Sequence, residues 1–220
     1  MERHWFYTWK TAHLTVSFAS RLEIPVEQLT NDLKPGQAHQ KLPGFIAVEG
    51  PIGVGKTTLA KRLAGSFNYD TLLEEPEQNP FLERFYEDRR SGALPAQLFF
   101  LFHRARQIQE MRQGDIFQQV RVADFLIDKD QLFAQITLDD DELKLYQTVY
   151  QQLTIDAPTP DLVVYLQAPT DVLLDRVQRR GTEAEKSIDA AYLHQLNDAY
   201  TRFFYYYDEA PLFIVNAADI

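Results

Sequence analysis

The reading of GFIAVEGPIGVGKTTLAKRLAG, Gly44 to Gly65, decides the fold. FIAVE is a short apolar run that breaks at a glycine-rich turn, and KTTLAKRLAGSF spaces its apolar residues as a helix does. Between them, Gly50, Gly53, Gly55, Lys56 and Thr57 have the spacing of a phosphate-cradling loop. The glycines let the backbone turn its N–H groups inward on phosphate oxygens. The helix starting near Lys56 adds the positive end of its dipole. Lys56 would reach the terminal phosphates, the Thr57 hydroxyl would ligate Mg²⁺, and Val54 and Thr58 complete the cradle. The stretch reads as a strand, a loop for a nucleoside triphosphate such as ATP, and a helix.

Outward from it, strands and helices alternate. NYDTLLEEP reads as a second strand ending in carboxylates, and NPFLERFYEDRR as a helix. After a break at SGALP comes the long amphipathic AQLFFLFHRARQIQEMRQG. FQQVRVADF is a third strand, LDDDELKLYQTVYQQL a helix and DLVVYLQAP a fourth strand. TDVLLDRVQRRG and IDAAYLHQLNDAYTRFFYYYDEA are helical, and PLFIVNAA is a fifth strand. This pattern predicts an α/β fold: a parallel five-stranded sheet of the P-loop NTPase type, covered by helices on both faces. Residues 1–43, punctuated by Pro25, Pro35, Gly36 and Pro43, read as an N-terminal extension and linker, with a short helix within LEIPVEQLTNDL. Residues 44–220 then form one domain.

The composition narrows the function. Apolar residues at 45% and aromatics at 13% suit a globular chain, and the absence of cysteine excludes disulfides and thiolate metal sites. A net charge of −10 argues against nucleic-acid binding, which needs a basic face. No apolar run approaches the ~20 residues that span a bilayer. The expectation is a soluble, cytoplasmic protein without a membrane or nucleic-acid partner.

Five motifs in order, GPIGVGKTT, EEPEQNPFLERFYED, QLFFLFHR, ADFLIDKDQLFA and RVQRRGTEAEKSI, resemble the deoxynucleoside kinase family, in particular its bacterial purine members. The resemblance covers about Phe45 to Ile220. It implies ATP-dependent phosphorylation of a deoxynucleoside 5′-hydroxyl in nucleotide salvage, with Mg²⁺, by a homodimer. Glu75 stands where the family has its general base, at the carboxyl edge of the sheet; on a strand, Glu74 would face the other way. Tyr86 matches the tyrosine that contacts the sugar 3′-hydroxyl, and Gln97 the glutamine that pairs with the base. Arg104 lies two helical turns beyond Gln97 on the same face. Arg176 and Arg180 match a lid that closes over the transferring phosphate, Arg179 does not, and Glu185 matches the lid carboxylate partnering the tyrosine. Asp124 aligns, with one deleted residue, to a Mg²⁺-side and substrate-side carboxylate.

Three departures stand out. Phe125 and Leu126 follow Asp124 where an arginine and a serine are common, and Thr182 replaces a lid arginine. The chain stops at NAADI, where a donor-base loop would begin, which predicts a truncated end or reduced donor contacts. Two alternatives follow: a nucleoside monophosphate kinase of the thymidylate kinase type, and a nucleotide-binding module with impaired catalysis. Glu74, Glu75 and Glu77 would repel an acceptor phosphate, which favours a neutral nucleoside. The helix Leu98–Met111 is expected to offer an apolar stripe to a second copy.

Overall fold

The structure is a computed structural model and describes residues 44–113, 121–153 and 157–219. The expected extension over 1–43 and residues 117–120 of the expected third strand lie outside the described residues. All the elements below lie in the compact unit Gln40–Ala218.

Strands β1 (Phe45–Glu49), β2 (Asp70–Leu72), β3 (Arg121–Ala123), β4 (Leu162–Gln167) and β5 (Leu212–Asn216) form one sheet. Their order is β2-β3-β1-β4-β5 and every pairing is parallel, as the alternating pattern predicts. Ala47 of β1 sits opposite Ala123 of β3 and Val163 of β4, so the central strand is clamped on both edges. Chain order reverses around β1, and ligands of such sheets bind at the carboxyl edge near that switch.

Seven helices among the described residues cover the sheet: α1 (Lys56–Phe67), α2 (Leu82–Glu87), α3 (Arg89–Gln113), α4 (Lys129–Thr137), α5 (Asp140–Gln152), α6 (Thr170–Arg180) and α7 (Ala190–Tyr205). Because side chains alternate along a strand, β1 and β4 feed two cores. Ile46, Val48, Val164 and Leu166 pack with Ala60 of α1, Phe85 of α2 and Leu173 of α6. Ala47, Val163 and Tyr165 pack with Leu132 of α4 and with Leu196, Tyr200 and Phe204 of α7. Local chemistry sets the helix ends. Asp139 and Glu142 form a capping box on α5, the Asp189 carboxylate accepts the Tyr192 N–H at 2.7 Å, and α6 stops at Gly181 in left-handed backbone.

Three expectations are corrected. SGALP is not a break: α3 runs through it from Arg89, with Pro95 inside. Gly92 explains this, since a Cβ there would stand 2.4 Å from the Phe85 Cα; only glycine lets α3 lie against α2. The second strand ends at Leu72, before the carboxylates, and KDQLFAQIT forms the unanticipated helix α4. At the sheet edge, β5 leaves Phe213 and Ile214 60% and 52% exposed.

Candidate active site

The phosphate loop follows β1 and is pressed onto its neighbours. A Cβ on Gly50 would meet the Leu166 carbonyl of β4 at 2.4 Å, and one on Gly53 the Leu173 carbonyl of α6 at 2.9 Å. Gly53 and Gly55 adopt φ of 83° and 104°, which a side chain would strain. Lys56 Nζ donates to the carbonyls of Gly50 at 2.8 Å and Pro51 at 3.3 Å. Burial, reinforced by the nearby Lys129 cation, pushes its pKa down to about 8.

Asp124, just past β3, joins two sides of the cleft. One carboxylate oxygen accepts the Thr57 hydroxyl from the phosphate loop, and the other accepts the Glu74 N–H at 2.8 Å. Beside it lies a cluster of buried charges. The Arg104 guanidinium pairs with Glu74 and Asp130 and lies over the rings of Phe100 and Phe125. Lys129 Nζ lies 3.1 Å from Glu74 Oε1 and 3.6 Å from Glu49 Oε2. Glu49 in turn accepts from the Gly50 N–H at 2.9 Å, the Leu126 N–H at 2.8 Å and the Tyr200 hydroxyl at 2.9 Å. Burial lowers Arg104 to about 10 and Lys129 to about 8, against the raising pull of Glu49 on both.

The two glutamates after β2 divide unexpectedly. They follow the strand rather than lie on it, so alternation does not sort them. Glu74 enters the buried cluster, whereas Glu75, in left-handed backbone at φ 51°, accepts from Gln78 Nε2 at 2.6 Å across a short 3₁₀ turn. Sequence reasoning named Glu75 and passed over Glu74, Glu49 and Lys129. A charged residue closing an apolar strand, as Glu49 does in FIAVE, was the available signal.

Of the residues expected to hold the sugar and the base, Tyr86 on α2 and Gln97 and Arg104 on α3 are buried. Tyr86 is buried on α2 between Phe85 and Tyr192. Burial raises its phenol well above the ordinary range, with Tyr192 and Glu185 adding and Arg180 opposing. Arg180 grips Glu185 through two bonds, at 2.8 and 2.6 Å. Gln97 and Arg104 are both buried on α3, 4% and 3% exposed, while Phe102 is the strongly exposed apolar side chain of the described part of that helix.

This geometry can be set beside known proteins. The family model for deoxynucleoside kinases matches residues 46–219. The chain belongs to the deoxynucleoside kinase family. It is 39% identical to a Bacillus subtilis deoxyguanosine kinase over 71% of this chain and 76% of that one. It is 34% identical to a Dictyostelium discoideum deoxyadenosine kinase over 80% and 73%. Its fold is similar to an M. mycoides deoxyadenosine kinase solved with dCMP and a flexible dCDP as products. The TM-score is 0.70 and the identity 26%, over 79% of this chain and 90% of the other. The chain is thus an ATP-dependent enzyme of deoxynucleoside phosphorylation.

Within this kinase, the departures from the family pattern have structural counterparts. Arg179, which does not match the lid pattern, pairs with Asp175 at 3.0 Å on the exposed side of α6. Arg176 reaches the Ala217 carbonyl at 2.7 Å and the Ala218 carbonyl at 3.1 Å, tying α6 to the segment after β5. No helix among the described residues is long and apolar enough to cross a membrane.

Proposed function

We propose that this enzyme transfers the γ-phosphoryl group of ATP to the 5′-hydroxyl of a purine deoxynucleoside, with deoxyguanosine and deoxyadenosine as the favoured acceptors. One observation carries the reading. The Asp124 carboxylate binds the phosphate loop through Thr57 and the acceptor-side backbone through Glu74, so donor and acceptor share one rigid partner. The purine assignment rests on the relatives named above. A neutral acceptor is favoured because Glu74, Glu75 and Glu77 crowd the segment after β2 and would repel a nucleotide phosphate.

Each side chain then has a part. Backbone N–H groups between Gly53 and Thr58 and the Lys56 ammonium hold the triphosphate. Thr57 and Asp124 offer adjacent oxygen donors, which suit a hard cation such as Mg²⁺. No group of three or more His, Cys, Asp or Glu among the described residues forms a metal cage, so phosphates and water would complete such a site. When bound, the ion neutralises charge on the phosphate oxygens. Tyr86 and Glu185 receive the sugar 3′-hydroxyl, and Gln97 with Arg104 receives the base. One carboxylate of the Glu74–Glu75 pair takes the 5′-hydroxyl proton. Arg176 and Arg180 approach the transferring phosphoryl group from α6, where guanidinium groups offset spreading negative charge. The catalytic domain begins near residue 44, and the enzyme works in the cytoplasm as a homodimer.

The test is ATP consumption with Mg²⁺ across the four deoxynucleosides and their monophosphates. Turnover with deoxyguanosine or deoxyadenosine, lost in Asp124→Asn, is expected. Turnover with monophosphates alone would overturn the reading in favour of a monophosphate kinase.

A further inference from the structure

The buried charges beside Asp124 raise a question that phosphate binding does not answer. Glu49, Arg104, Lys129 and Asp130 have side chains 0–4% exposed, whereas the Glu74 side chain is 16% exposed. Among these five charges Glu74 is therefore the most accessible to solvent. Its orientation is fixed three times over: Arg104 pairs with Oε1, Lys129 lies 3.1 Å from Oε1 and 3.2 Å from Oε2, and its own N–H is held by Asp124. Burying a lysine is costly unless its charge is paired, and Lys129 spends its charge on two carboxylates. One is Glu74; the other is Glu49, which holds the first N–H of the phosphate loop. A single ammonium thereby sets the acceptor-side carboxylate relative to the donor-side loop.

We propose that Lys129 is a positioning residue of phosphoryl transfer: with Arg104 it fixes Glu74, and Glu74 is the carboxylate that takes the 5′-hydroxyl proton. The inference rests on the kinase reading above. The 5′-oxygen forms its bond to the γ-phosphorus as the bond to the bridging oxygen of ADP breaks, and the hydroxyl proton moves to Glu74. ADP and the deoxynucleoside monophosphate are the products. Two cations on one carboxylate fix its orientation, and a fixed base matters more than a strong one where transfer is dominated by positioning. Glu75 lacks such fixing: its carboxylate takes one hydrogen bond, from a side chain on its own turn.

The experiment compares kcat, KM and ATP affinity for Glu74→Gln, Glu75→Gln, Lys129→Met, Lys129→Arg and the double variant Glu74→Gln/Lys129→Met. Removing a general base costs about 10²–10⁴-fold, so Glu74→Gln is expected to lower kcat in that range and by more than Glu75→Gln does. Lys129→Met is expected to lower kcat by about 100-fold, with the Kd for ATP within about threefold of the parent. Lys129→Arg recovers most of that loss. In the double variant the losses should not multiply, because both changes remove one unit. A larger kcat loss at Glu75→Gln, or multiplicative losses in the double variant, overturns the proposal. So does a Lys129→Met enzyme that melts earlier yet keeps its kcat. If Lys129→Met does not fold, the Glu74→Gln and Glu75→Gln comparison decides the base, and Lys129→Arg against the parent decides the cation. An inactive parent enzyme would defeat the kinase reading itself, a different result from an active parent indifferent to Glu74.

Discussion

Tyr86 has a phenol that burial and the Glu185 carboxylate keep protonated, so across the working pH range it can donate a hydrogen bond. Tyr86→Phe removes that donor without opening a large cavity. A hydrogen bond of this kind contributes about 0.5–1.5 kcal/mol, or roughly 2–13-fold. The expected outcome is a KM for the deoxynucleoside raised by such a factor, with the KM for ATP unchanged. An acceptor lacking the 3′-hydroxyl should bind parent and variant alike; a parallel loss with that analogue would show that Tyr86 only packs. Lys56 gives a second test. Burial lowers its pKa from 10.5 to about 8, so in the free enzyme its charge is lost as pH rises through 8. A bound triphosphate favours the charged form, so ATP binding should take up a proton between about pH 8 and 10.5 and none near pH 6.5. Titration calorimetry in buffers of different ionisation enthalpy measures that uptake directly. Lys56 was legible in the sequence because a loop motif fixes it by spacing. Glu74 was not, because two adjacent glutamates differ only in the turn that follows them, and that turn depends on Asp124, far along the chain.

At the scale of elements, the contact between α2 and α3 places Tyr86 relative to Gln97 and Arg104. Gly92 makes it possible: Gly92→Ala would drive a Cβ into the Phe85 backbone. Overpacking of this kind costs about 1–3 kcal/mol, read as a lower denaturation midpoint, and the shifted helix should raise the KM for the acceptor more than for ATP. Gly65 in α1 is the contrast, since a Cβ there meets nothing within 4 Å. Gly65→Ala is expected to stabilise the enzyme by about 0.4–1 kcal/mol without changing kinetics. Elements with one dominant local signal were readable: α1, α6, α7 and β4 follow their apolar patterns closely. Helix α3 across SGALP was not, because serine, glycine and proline are loop-formers in isolation and tertiary contact with α2 overrides them. Helix α4 escaped notice because nine residues carrying Lys129 and Asp130 inward do not look amphipathic; its buried face is partly charged.

For the molecule as a whole, buried titratable groups should govern the alkaline stability profile. Lys56 and Lys129 have folded pKa values of about 8, below the 10.5 of an unfolded chain. Between those values the unfolded state binds more protons, so the penalty of burying two charges is released and stability rises with pH. Tyr86, Tyr146, Tyr165, Tyr192, Tyr200 and Tyr207 shift the opposite way, all raised above 10 first of all by burial. Above pH 10 the unfolded tyrosines ionise while the folded ones do not, so the folded state binds more protons and stability falls. The two trends cross, and the urea midpoint should climb from pH 7.5 to a maximum between about 9 and 10, then drop steeply. Measured at constant ionic strength, a midpoint that falls steadily from pH 7.5 would mean that the ion pairs around Glu49 and Glu74 keep the lysines charged. In Lys129→Met the rising limb should shrink while the tyrosine limb stays, because the sheet that buries Tyr165 and Tyr200 is held by its own aromatic stacking against α7, with Tyr165 and Phe204 rings 4.1 Å apart.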